Sequence, residues 1–84
     1  MMETISFRIY PNPTTGAFTL EQPGNRTVQN LKVEIYSMLG KQITSEMIIG
    51  EKTHQFMLGN VPTGIYLVRI MSGGKIETVK LVKQ

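Results

Sequence analysis

The sequence predicts a small all-β sandwich, and three observations carry that expectation. Short β-prone stretches recur at close spacing along the 84 residues, and clusters of Gly, Pro and Asn separate them. No stretch shows the 3.6-residue periodicity of an amphipathic helix. The strongest signal is Asn60-Val61-Pro62-Thr63-Gly64-Ile65-Tyr66-Leu67-Val68-Arg69-Ile70. Pro62 fixes its own φ, and Gly64 permits a sharp turn immediately before a β-branched and aromatic run. Tyr66, Val68 and Ile70 share one face of that run, and Ile65, Leu67 and Arg69 share the other. Both faces are largely apolar, which predicts a central strand. Tyr66, at the strand's start, is a candidate tyrosine corner, its ring inward and its hydroxyl directed back to loop backbone; a plain core aromatic is the competing reading.

The other elements follow in order. Ile5, Phe7 and Ile9 alternate with Ser6, Arg8 and Tyr10 as a first strand. Tyr10-Pro11-Asn12-Pro13 stops it, because proline has no N–H to donate; Pro13 suits the second position of a type I turn, and Asn12 can accept from nearby backbone. Thr14-Thr15-Gly16 completes the reversal into the strand Ala17-Phe18-Thr19-Leu20. A polar connection follows, with Pro23-Gly24-Asn25 as its turn signal. Asn25-Arg26-Thr27 matches a glycosylation acceptor, a tripeptide too common by chance to carry weight. Leu31, Val33 and Ile35 alternate with Lys32, Glu34 and Tyr36 as a half-exposed strand. Met38-Leu39-Gly40 predicts a type I turn closed by a positive-φ glycine. The partner strand runs from Lys41 to Ile49, with Ile43 inward and a bulge or bend expected at Ser45-Glu46. Thr53 to Leu58 is a further strand, with Phe56 and Leu58 on one face. Ser72-Gly73-Gly74 turns the chain into a last strand, Lys75 to Lys83, whose lysines Lys80 and Lys83 would blunt an edge against aggregation. The count is about seven strands, which predicts an immunoglobulin-like antiparallel β-sandwich, with a small closed barrel as the alternative.

Bulk properties narrow the function. The length supports one domain. There is no cysteine, so neither disulfides nor thiolate chemistry is available. Nine Lys/Arg against six acids, all Glu, give a formal charge of +3. The basic residues are dispersed rather than clustered with aromatics, which argues against a nucleic-acid partner. No apolar run approaches the roughly 20 residues of a membrane helix, so no transmembrane segment is expected. Met1-Met2-Glu3-Thr4 lacks the pattern of a secretory signal, which predicts either a cytoplasmic protein or a piece of a longer one.

Catalytic chemistry finds little support. His54 is the only histidine and reads as a solvated strand residue. Ser45 and Ser72 lack a nucleophile-elbow context, and the glycines form no phosphate loop. A chain without Asp is poor in calcium ligands. The six methionines read as core filler. No enzyme activity, metal or cofactor is expected.

Three segments and the chain's end share a pattern. Tyr10-Pro11-Asn12-Pro13-Thr14-Thr15-Gly16-Ala17-Phe18 resembles the opening of the C-terminal sorting domain of type IX (Por) secretion cargo from Bacteroidetes-type bacteria. Val33 through Lys41 is similar to that family's middle strand and hairpin, and Pro62-Thr63-Gly64-Ile65-Tyr66 to its Gly-x-Tyr motif. Lys80-Leu81-Val82-Lys83-Gln84 resembles its basic, apolar tail. The resemblance runs from about Ile5 to Gln84, leaving residues 1–4 as a start or linker remnant. It implies a seven-stranded immunoglobulin-like sandwich that follows an N-terminal cargo domain. It also implies passage through the periplasm, recognition by components of the type IX translocon, export to the cell surface or medium, and removal by a sortase at or before the segment 2–6.

Residue by residue, Pro11, Asn12, Pro13 and Gly16 match the entry motif, Gly64 and Tyr66 the Gly-x-Tyr motif, and Lys80 and Lys83 the tail; Gly40 and Pro62 are structural turn positions, and Lys80, Leu81, Val82 and Lys83 are the candidate recognition positions. The expected mechanism is binding: the hairpin from Tyr66 to Val82 faces the translocon, and an open terminal strand adds to a partner's sheet by backbone pairing. The rival is a structural or carbohydrate-binding β-sandwich module of an extracellular protein, for which Tyr36 is the obvious outward aromatic.

Overall fold

A computed structural model of the chain describes residues 7–24 and 30–84. They form seven strands: β1 (Arg8–Tyr10), β2 (Ala17–Glu21), β3 (Asn30–Ser37), β4 (Gln42–Ile49), β5 (Thr53–Met57), β6 (Gly64–Ser72) and β7 (Lys75–Lys83). No helix occurs among the described residues. The strands make two antiparallel sheets, one ordered β1-β2-β5 and the other β4-β3-β6-β7. Their inner faces meet in a single core, so the architecture is the expected immunoglobulin-like sandwich rather than a closed barrel. In the constant-type version of that fold the fourth strand lies beside the fifth. Here β4 pairs with β3 instead, giving three strands facing four.

The alternation read from sequence decides which side chains are buried. Leu31, Val33 and Ile35 of β3, and Tyr66, Val68 and Ile70 of β6, supply one wall of the core. Phe18, Leu20 and Phe56 supply the other. Phe18 and Phe56 sit opposite each other in register and stack with centroids 5.2 Å apart. β6 is central, between β3 and β7, as its two apolar faces require. Phe7 is buried and Ile9 packs against the core; Ile5 and the Asn25 acceptor lie outside the described residues.

The β3–β4 hairpin forms as its sequence dictates. The Gly40 N–H donates to the Ser37 carbonyl at 3.0 Å, and Gly40 has φ +89°. That positive φ is why glycine suits the position.

Three expectations are corrected. The irregularity in β4 lies at Ile43, not at Ser45-Glu46: Ile35 pairs with Thr44 but Tyr36 pairs with Gln42. The extra residue lets Ile43 reach the core directly after the hairpin. Met38, Met47 and Met57 are exposed rather than core filler, because they fall on outward positions or in a turn. The segment around Pro11 and Pro13 has cis peptides at Tyr10–Pro11 and Asn12–Pro13, and its hydrogen bonds run to β7 rather than closing a type I turn.

Candidate functional site

The expected recognition residues all lie on β7, and the pleat divides them. Leu81 points into the core and is completely buried. Lys80 and Val82 point outward, beside Leu67 and Ile65 of β6 respectively. Lys83 alternates back to the inner side, opposite Gly64, and is half-buried. A partner meeting the folded domain therefore reaches Lys80 and Val82 together with Ile65 and Leu67, and does not reach Leu81. Ile65 and Leu67 join the strip through their register with β7, and the sequence signal for them is their alternation with buried Tyr66 and Val68.

β7 is an edge strand, but its edge is not open at this end. The Asn12 side-chain amide donates to the Lys80 carbonyl at 2.8 Å and accepts from the Val82 N–H at 2.9 Å. It thereby fills the place that a peptide group of a neighbouring strand would occupy. The Thr14 N–H donates to the Val82 carbonyl at 2.8 Å, and the Gln84 N–H donates to the Thr14 carbonyl at 2.8 Å, as a short parallel bridge. Pro11 and Pro13 bound this seal and present no N–H groups, so the sheet ends here instead of offering a fresh edge. Strand addition over 80–84 requires this segment to be displaced.

Thr14 makes the seal rigid. It is buried, its hydroxyl donates to the Ala17 carbonyl at 2.6 Å, and it accepts from the Gly16 N–H at 3.0 Å. The Gly16 carbonyl accepts from the Leu58 N–H at 2.8 Å, at the end of β5. The segment from Pro11 to Gly16 thus ties β7 of one sheet to the β2–β5 side of the other. Asn12→Ala removes two partly solvated hydrogen bonds and is expected to cost about 1–2 kcal/mol. Denaturant unfolding measures that loss, and amide exchange should accelerate at Val82 while Leu81 stays protected.

The motif around Tyr66 is a tyrosine corner and not only a core aromatic. The Tyr66 hydroxyl donates to the Pro62 carbonyl at 2.6 Å while the ring is buried. Pro62 and Gly64 are exposed or half-exposed, so they shape the turn rather than fill the core.

His54 is not the solvated strand residue expected. It faces inward from β5, edge-on to Phe56 with centroids 4.8 Å apart. Its Nδ1 lies 2.9 Å from Glu51 Oε1 and its Nε2 3.1 Å from Glu46 Oε1 of β4. The cluster bridges the two sheets at the β4–β5 edge. Burial by itself pushes the imidazole pKa down, but the two carboxylate hydrogen bonds outweigh it and raise the pKa above its ordinary value. A pKa raised by folding means that protonation favours the folded state. That stability is complete below the unfolded value near 6.5 and is lost as pH rises through the folded pKa. The thermal midpoint should fall as pH rises from the unfolded value near 6.5 through the folded pKa, and His54→Gln should remove that slope.

Other chemistry is sparse. The His54 ring nitrogens are both engaged by carboxylates, and among the described residues no group of His, Cys, Asp or Glu side chains is placed to hold a metal ion, nor is any helix long and apolar enough to cross a membrane. The Tyr36 hydroxyl donates to Glu34 at 3.0 Å and contacts Gln42 at 3.2 Å. That bond to a carboxylate raises the Tyr36 pKa. The other outward tyrosine, Tyr10, lies on the other sheet under the Arg8 guanidinium. The two rings do not share a face, so they do not form the aromatic platform of a glycan-binding module.

Fold and site together define an antiparallel β-sandwich module whose last strand is locked against a proline-bounded segment that precedes β2. Residues 8–84 match the family model described as the secretion system C-terminal sorting domain. The chain is also 31% identical over 90 aligned residues to karilysin of Tannerella forsythia, covering 96% of this chain and 19% of that protein. It therefore spans about a fifth of the length of the curated relative it matches. The chain belongs to the family of C-terminal sorting domains of the type IX secretion system. As such it is a sorting signal for an attached N-terminal cargo, destined for the cell surface or the medium.

Proposed function

We propose that the domain sorts its cargo by binding and not by catalysis. In this reading it passes through the periplasm folded and is met there by a component of the type IX translocon. A sortase at the cell surface then removes it. The observation that carries the reading is the outward strip at the end of the chain. Lys80 and Val82 of β7 lie beside Leu67 and Ile65 of β6, so basic and apolar side chains are held together on a rigid sheet. An apolar centre with a charged neighbour is the composition a specific protein contact favours. With Asn12 and Thr14 sealing the edge, the translocon reads this face rather than adding a strand to it.

The test is a fusion of residues 5–84 to a signal-bearing reporter in a host that carries a type IX system. Export to the surface or medium is expected. A reporter that stays in the periplasm overturns the proposal. So does unchanged export when Lys80 and Val82 are both replaced by Glu in a variant that keeps its stability.

A further inference from the structure

The outward face of the four-stranded sheet carries a second surface, at the end away from the sealed edge. One register row there reads Met47, Lys32, Met71 and Ile76 across all four strands. Ile49, one step along β4, extends it beside Asn30. Met47 is 58% exposed, Ile49 65% and Ile76 57%. A shallow groove of about 360 Å³ lies over this row, bounded by the Ser72–Lys75 turn. A polar row of Ser45, Glu34, Arg69 and Thr78 separates it from the strip at Lys80 and Val82.

We propose that this groove docks an acidic, apolar peptide segment of a partner protein. Its floor is the exposed Met47 and Ile76 with the half-buried Met71 between them. Methionine adapts its shape to apolar side chains of different outline. The rim is basic: Lys32 and Lys75 line the groove, and among the described residues no carboxylate does. On the same sheet face Glu34 pairs with Lys32 at 3.6 Å and accepts from the Tyr36 hydroxyl, so among the described residues Lys75 is the rim cation that no carboxylate neutralises. Charge complementarity therefore favours an acidic ligand. A second copy of the chain fits poorly, since self-association through this face brings like-charged lysines together in a molecule of net charge +3. An anionic membrane fits poorly too, because such surfaces attract clusters of about 4–8 basic residues and the groove has two.

The methionines make the test direct. The 84-residue chain, labelled with carbon-13 at its methionine methyls, is titrated with an acetylated, amidated peptide of alternating Leu and Glu, six residues in all. The Met47 and Met71 methyls are expected to shift. Those of Met38, in the β3–β4 turn, and Met57, on the other sheet, are exposed controls that should not. Joint replacement Lys32→Glu and Lys75→Glu should weaken binding roughly tenfold, with the Met57 signal unchanged as the check on folding. Where that double variant does not fold, Lys75→Glu alone, in an exposed turn-flanking position, should weaken binding a few-fold. Absence of shifts at millimolar peptide overturns the proposal, as do uniform shifts of all four methyls or equal binding of the Leu/Lys counterpart. Shifts caused by phosphatidylglycerol vesicles but not by the peptide assign the face to a membrane and overturn it. Concentration-dependent shifts of Met47 and Met71 without peptide assign it to self-association and do the same.

Discussion

Tyr66→Ala is expected to remove about 3–5 kcal/mol of stability, the usual cost of deleting a buried aromatic ring. A domain of this size has on the order of 5–10 kcal/mol in total, so the variant should be close to unfolded at ordinary temperature. Two separable effects add up in that loss. The ring is buried with Val68 and Ile70 on the inner face of β6. The hydroxyl holds the Pro62 carbonyl at 2.6 Å and so fixes the turn that launches the strand. Tyr66→Phe separates the two by keeping the ring and losing the bond. It should cost about 1 kcal/mol, which lowers the thermal midpoint by about 4–8 °C. Urea unfolding of the three proteins checks both values. Equal losses in the two variants would mean that the hydroxyl, not the ring, dominates.

The stretch around Tyr66 shows what sequence patterning makes legible. Pro62, Gly64 and the alternation from Ile65 to Ile70 are local signals, and each acts within a few residues through φ restriction or side-chain direction. The same holds for β3 and for the Gly40 hairpin. What the pattern does not contain is pairing between distant segments. The Asn12–Lys80 and Asn12–Val82 hydrogen bonds join residues about 70 apart in sequence, and no local rule brings them together. Sheet membership is hidden for the same reason: β4 reads as a strand whichever neighbour it joins. His54 is half legible: Glu51 lies three residues before it, but Glu46 lies on another strand, across the edge of the sandwich. The methionines are not legible as core or surface because the residue type is compatible with either, and only the register of Met47 and the position of Met38 decide it.

The site is legible in part on the same terms. Lys80, Leu81, Val82 and Lys83 form one short run in sequence, yet β-strand alternation gives them different roles. Lys80 and Val82 are held outward, Leu81 is core, and Lys83 is turned back towards the sealed end. A run read as one recognition element is therefore a surface and an anchor interleaved.

That division gives the second large effect. Leu81→Ala should cost about 2–5 kcal/mol, because the residue is fully buried and a cavity would remain among Tyr66 and its neighbours. Lys80→Glu, on the exposed side of the same strand, should change stability by no more than about 0.5 kcal/mol. In the export assay both substitutions are expected to reduce the exported reporter, but by different routes. Leu81→Ala should lose export in proportion to its loss of folded domain, and a compensating increase in stability elsewhere should restore it. Lys80→Glu should lower export while urea unfolding stays at the parent value, since only the outward charge has changed. Full export of a Leu81→Ala protein shown to be unfolded would mean that the translocon reads an extended tail and not the sandwich. The seal formed by Asn12 and Thr14 would then be something the system opens before it reads the chain.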